Sequence, residues 1–186
     1  MTAASLGELL ATQFSEGLES LPLAEVRSRR ASATEVETSL SYLRRLVQGR
    51  LDIVLAEHAR REAGLAPEDA GELVKRLPEI LGDHVHAPGL GRLPTLMAPG
   101  DLDPALTGRL DSIIDPARLC ELPRLSDEQL QGVESKLYDL EREVSGQRRA
   151  LHEVLDRLQG EIVRRYQSGE ASVDSLLGES GGSSHP

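Results

Sequence analysis

ETSLSYLRRLVQGRLD, residues 37–52, sets Glu37, Ser41, Arg44, Gln48 and Asp52 at successive intervals of four, three, four and four. EREVSGQRRALHEVLD, residues 141–156, sets Glu141, Ser145, Arg148, His152 and Asp156 at the same intervals. At about 100° per residue such a set falls within an arc of roughly 80° on a helix and rises through roughly 22 Å. Each stretch therefore reads as a helix carrying one polar stripe beside an apolar seam. The match extends past the stripe: Arg45 is echoed by Arg149, Leu40 by Val144, Val47 by Leu151, Leu51 by Leu155 and Val54 by Leu158. The two helices share both a core register and a polar face, as if one helix had been duplicated.

Outward from the first stretch, Val36, Leu40, Leu43, Val47 and Val54 follow a coiled-coil spacing. No proline occurs from Ala24 to Arg61, so one long helix is expected over about 24–61, started by Ser20, Leu21 and Pro22. Around the second stretch, Leu130, Leu137, Val144, Leu151 and Leu158 fall on strict heptads, flanked by Val133, Leu140 and Val154. Ser126 with Gln129 forms a capping-box start, and a second long helix is expected over about 126–167. The connector, 64–124, is rich in proline and glycine. Within it PEDAGELVKRLPEIL and DPALTGRLDSII each read as a short helix and the rest as loop. Residues 1–19 read as a flexible N-terminal segment, with a possible helical turn at SLGELL, and 168–186 as a disordered Ser/Gly-rich tail. The predicted fold is all-α: two long antiparallel helices in a coiled-coil hairpin over 20–167, with the shorter helical and loop segment between them.

Composition narrows the function. Across 186 residues there is no Trp, one Phe and three Tyr, so the core is aliphatic, which suits helix seams. A net charge of −10 argues against direct nucleic-acid binding, which needs cations to replace phosphate counterions, and favours a basic partner. A single cysteine, Cys120, excludes an internal disulfide or a cysteine metal cluster. No export signal or membrane-length apolar run is present, and a cytoplasmic protein is expected. Asp83, His84 and His86 lie close in sequence but read as a solvated turn, so no metal is expected. GLGRLP lacks the strand and helix a phosphate-binding loop needs. No nucleophile–base or acid pair stands out, so an enzyme is not expected.

The stripe has a chemistry of its own. An arginine fork donates to guanine O6 and N7, a carboxylate accepts from guanine N1–H and N2–H, and Ser and Gln reach phosphate or sugar oxygens. A guanine nucleotide is one reading. Ordinary solvated residues on a structural coiled-coil scaffold that binds no nucleotide is the other.

The doubled spacing Glu-x3-Ser-x2-Arg-x3-Gln-x3-Asp, with the run SYLRRLVQGRLDIVLAE, resembles the RsiG family of actinobacterial anti-sigma factors. The resemblance covers the two long helices, about half of the chain. It implies that the two motifs lie on antiparallel helices and bind a dimer of cyclic di-GMP, two molecules, between them. It also implies that the loaded protein holds a sporulation sigma factor of the WhiG or FliA-like type inactive and so represses its transcription programme. The ligand positions it implies are Glu37, Ser41, Arg44, Gln48 and Asp52 on the first helix and Glu141, Ser145, Arg148 and Asp156 on the second. His152 stands where the motif has Gln and is counted as the tenth ligand position. Its ring separates donor and acceptor that an amide presents together.

Overall fold

The computed structural model describes residues 5–66, 70–82 and 104–170. Its elements are α1 (Leu6–Leu10), α2 (Thr12–Ser15), a 3-10 turn (Leu18–Ser20), α3 (Leu23–Glu62), α4 (Ala70–Gly82), α5 (Pro104–Ile113), α6 (Pro116–Leu119), a second 3-10 turn (Leu122–Arg124) and α7 (Asp127–Gln167). No strand occurs among the described residues. The Asp83, His84 and His86 turn, the GLGRLP stretch and most of the C-terminal tail, residues 171–186, lie outside them.

The two long helices start and stop for local reasons. Before α7, the Gln129 side chain accepts from the Ser126 backbone N–H at 2.9 Å and the Ser126 hydroxyl accepts from the Gln129 N–H at 3.2 Å, the reciprocal box expected there. After α3, Gly64 takes a left-handed φ of 67°. That turn lets Leu65 N–H reach the Arg60 carbonyl at 3.2 Å and Gly64 N–H the Arg61 carbonyl at 2.9 Å, closing the last helical turn. The seams read from sequence are largely the buried ones, with Val36 and Val133 half-buried. Leu40, Leu43, Val47 and Val54 on α3 are buried, as are Leu130, Leu137, Val144, Leu151 and Leu158 on α7.

The chain forms two units, one of residues 1–38 with 148–186 and one of 39–147. α3 and α7 each contribute to both. Within the first, Arg27 bonds the Tyr166 hydroxyl and Arg148 meets Glu37, so numbers rise on one helix as they fall on the other. Within the second, Arg44 meets Glu141 and Arg61 meets Asp127, again antiparallel.

The units are built alike. Shifting α2, the first 3-10 turn and the start of α3 by 104 residues lands on α6, the second 3-10 turn and the start of α7. In the first unit Arg165 donates to the carbonyls of Leu21 at 2.8 Å and Leu18 at 2.6 Å, just ahead of α3. In the second, Arg61 donates to the carbonyls of Leu122 and Leu125, both at 2.9 Å, just ahead of α7. Each arginine is held by a glutamate one turn before it, Glu161 at 2.6 Å and Glu57 at 2.7 Å. The Leu18 and Leu122 carbonyls also accept from the Leu21 and Leu125 N–H groups within their 3-10 turns, at 3.1 Å each. The Leu21 and Leu125 carbonyls lie just ahead of the long helices, where a charged donor satisfies an acceptor that burial would otherwise leave costly.

Two expectations are corrected. Residues 5–19 are not a loose segment: the Ser5–Glu8 capping box starts α1, and Leu9 and Leu18 are buried. Arg157 donates to Ser15 Oγ at 3.0 Å and Arg29 to the Phe14 carbonyl at 2.8 Å, which ties the segment to both long helices. Part of the expected connector loop is also helical, because Asp115 caps α6 through the Arg118 N–H at 2.9 Å and Pro116 presets its first turn. The two short connector helices fall where expected, as α4 and α5. Leu73 of α4 is buried, and Leu81 lies against Gly49 of α3.

These ion pairs set an acid limit. Hydrogen bonds from Arg164 and Arg165 hold the Glu161 carboxyl down to about 2. Burial raises Glu57, but hydrogen bonds from Arg60 and Arg61 outweigh it and leave that carboxyl below its ordinary value. Both groups are depressed in the folded state, so their stabilisation is complete above the unfolded value of 4.5 and is lost as pH falls through the folded values. Urea midpoints are expected to be level above pH ~5 and to fall steadily between 4.5 and about 2. A midpoint unchanged to pH ~3 would show that these carboxylates carry no linked stability.

Candidate functional site

In the unit of residues 39–147, the half-buried stripe of α3 meets the matching stripe of α7. Arg44 Nε donates to Glu141 Oε1 at 3.1 Å and to Ser145 Oγ at 2.9 Å. Gln48 Nε2 donates to the same Glu141 oxygen at 3.4 Å, and the Ser145 hydroxyl donates to it at 2.8 Å. One carboxylate oxygen thus gathers an arginine, an amide and a hydroxyl from two helices. The Arg44 and Glu141 side chains remain 35% and 23% exposed, enough to be reached from solvent. Of the five N–H donors on a guanidinium, only the one on Nε is engaged among the described residues.

In the unit of residues 1–38 and 148–186 the roles of the helices are exchanged. Arg148 Nε, now from α7, donates to Glu37 Oε1 of α3 at 3.2 Å. His152 Nε2 stands 3.2 Å from the same Glu37 oxygen and 3.2 Å from Arg148 Nη2. The motif arginine of each helix is therefore paired with the motif glutamate of the other. The fourth residue of the motif, Gln48 in one unit and His152 in the other, points its nitrogen at that same glutamate oxygen. His152 occupies the place of an amide, within 3.2 Å where Gln48 has 3.4 Å.

Seven of the ten stripe residues are thus gathered into two clusters: Glu37, Arg148 and His152, and Arg44, Gln48, Glu141 and Ser145. The other three sit along the same helix faces, Ser41 and Asp52 half-buried on α3 and Asp156 exposed on α7. Arg45 and Arg149, each following a motif arginine, are exposed.

The sequence carried one repeated signal that the stripe spacing did not single out. EHARR, residues 57–61, and EIVRR, residues 161–165, share Glu-x-x-Arg-Arg at the same separation as the stripes. They supply the buried clamps described above, which hold the start of one long helix at the end of the other. Among the described residues no three His, Cys, Asp or Glu side chains are grouped to hold a metal, and no helix is long and apolar enough to cross a membrane.

A family model described as RsiG-like matches residues 12–81 and 116–179. No curated protein matches the chain. The two matched stretches begin at α2 and at α6, the points from which the two units run in parallel, and they contain every residue of both stripes. The family is regulatory, and it implies an anti-sigma role with a sigma factor as partner. With well over half of its length matched, including both long helices, the chain belongs to the RsiG-like family.

Proposed function

We propose that this protein is a cyclic di-GMP-dependent anti-sigma factor that acts in the cytoplasm and sequesters a sporulation sigma factor of the WhiG or FliA-like type. The observation that supports this most is the reciprocal pairing of the two motifs: Arg44 on Glu141 in one unit and Arg148 on Glu37 in the other. Each pair is a complementary donor–acceptor set in a partly dry setting. That set matches both edges of guanine: the arginine suits O6 and N7, the glutamate N1–H and N2–H. When a guanine enters, each side chain exchanges its partner for a base edge, so few hydrogen bonds are lost in total.

Ser41 and Ser145, with Gln48 and His152, extend the set toward phosphate and sugar oxygens, and Asp52 and Asp156 complete the motif. The exposed Arg45 and Arg149 offset phosphate charge. Two such sets suit two molecules of cyclic di-GMP, with no metal required. The ligand's anionic phosphates offset the charges of Arg44, Arg45, Arg148 and Arg149 and fix the two helices of each unit at a spacing the partner recognises. A net charge of −10 suits basic surfaces of a sigma factor that otherwise engage polymerase or promoter DNA, and does not suit nucleic acid itself.

Calorimetric titration of the purified protein with cyclic di-GMP, alone and with the sigma factor, tests this. The expected result is saturable binding of about two ligand molecules per chain, with each partner tightening the other by the same factor, as linkage requires. A sigma factor bound equally well with and without nucleotide would remove the dependence. No heat with nucleotide in either titration would leave the scaffold reading.

A further inference from the structure

The two clusters are built alike but differ at one atom type. In the cluster of Arg44 and Glu141 every group facing the carboxylate is a fixed donor: guanidinium, amide and hydroxyl. In the cluster of Arg148 and Glu37 the equivalent place holds His152 Nε2, which faces two partners with opposite demands. Glu37 Oε1, from α3, is an acceptor, and Arg148 Nη2, one turn before it on α7, is a donor. A neutral imidazole nitrogen can serve only one of them. The proton on Nε2 satisfies Glu37 and opposes Arg148, and the proton on Nδ1 does the reverse. Protonating both nitrogens adds a positive charge that favours Glu37 and opposes Arg148, so the state of the ring depends on what further charge enters the cluster. The other charges beside the ring on its own helix are Arg149, about one turn before it, Glu153 next to it, and Asp156, one turn further on. His152 is 46% exposed, so protons reach it freely.

We infer that the two ligand-binding halves are unequal and that His152 makes its half proton-sensing, so that cyclic di-GMP is bound more tightly there as pH falls. This rests on the cyclic di-GMP reading above. Its sign follows from charge. The ligand brings anionic phosphates to a place that already holds Glu37, so the imidazolium is favoured more with ligand than without it. Binding on that half therefore takes up a proton, and affinity rises as pH drops through the histidine range. The Gln48 half carries an amide and has no such dependence.

The test is calorimetry of the full chain with cyclic di-GMP at pH ~5.5, ~6.5 and ~8, values spanning the ordinary histidine range. Each titration is run in two buffers of different ionisation enthalpy, so that proton uptake is counted directly. For the wild-type chain, affinity on one half is expected to rise by about fivefold or more from the highest pH to the lowest, with proton uptake on binding. His152→Gln should level the profile and abolish the uptake. Gln48→His should make the profile steeper and add a second uptake. Equal wild-type affinity at all three values, or the same dependence and uptake in His152→Gln, would overturn the inference while leaving the ligand assignment intact. Absence of binding at every pH would instead overturn the ligand assignment and this inference with it.

Discussion

Glu57→Gln is expected to lower folding stability by about 3–5 kcal/mol, the cost of leaving buried charge without its counterion. The Glu57 side chain is 4% exposed and accepts from Arg60 at 2.8 Å through each of its oxygens and from Arg61 at 2.7 Å. Both arginines are themselves largely buried, and Arg60 has few routes to water. The amide keeps the shape of the side chain but removes the charge that two guanidinium groups share. The equivalent change in the other unit, Glu161→Gln, should cost distinctly less. There Arg164 is 46% exposed and also bonds Glu170 at 2.8 Å, so water and a second carboxylate take over part of the compensation. Urea unfolding followed by circular dichroism measures both. A Glu57→Gln loss under ~1 kcal/mol, or a larger loss for Glu161→Gln, would show that the buried clamps do not differ as their exposure indicates.

Arg44→Ala and Arg148→Ala should each weaken cyclic di-GMP binding by about tenfold or more, since each removes charge-assisted hydrogen bonds worth about 1.5–3 kcal/mol. The double variant should lose about a hundredfold if the two halves bind independently. Stability should change by less than ~1 kcal/mol, because both pairs are part-exposed and alanine is the better helix former. The choice of control matters. Arg142 is 81% exposed on α7 and only 3.8 Å from Asp139, so Arg142→Ala is a charge-matched control. Arg50 is not: it donates to the Ile114 carbonyl at 2.5 Å and to Asp111 at 2.6 Å, tying α5 and its end to α3. Its replacement would loosen the fold of that unit. If the motif variants and Arg142→Ala bind nucleotide alike, the stripes have no ligand role. If the motif variants lose sigma binding together with nucleotide while Arg142→Ala keeps both, the two binding events are coupled.

Both long helices were legible because what makes them is local. Heptad leucines, a capping box and the absence of proline act within one or two turns, and their positions in the chain fix them. The stripes were legible for the same reason, since helical periodicity alone brings residues at these intervals to one face. The early segment is not legible in the same way, because five- and four-residue helices have little intrinsic stability. Leu9 and Leu18 are buried, the Phe14 and Leu18 carbonyls accept from Arg29 and Arg165, and the Ser15 hydroxyl accepts from Arg157, so residues on both long helices hold the segment.

By itself, then, the sequence determined two long amphipathic helices, their seams, and the polar residues each would offer on one face. It did not determine partners. That Arg44 meets Glu141 and Arg148 meets Glu37 depends on the register of one helix against another, set by how the seams interlock and where the clamps tie the helix ends. That His152 takes the place of an amide depends on a distance to a glutamate more than a hundred residues away in the chain. The burial of Glu57 is likewise a property of what surrounds it. An isolated helix would leave that carboxylate in water, and only packing withdraws it, because burial is a sum over neighbours that no single helix contains.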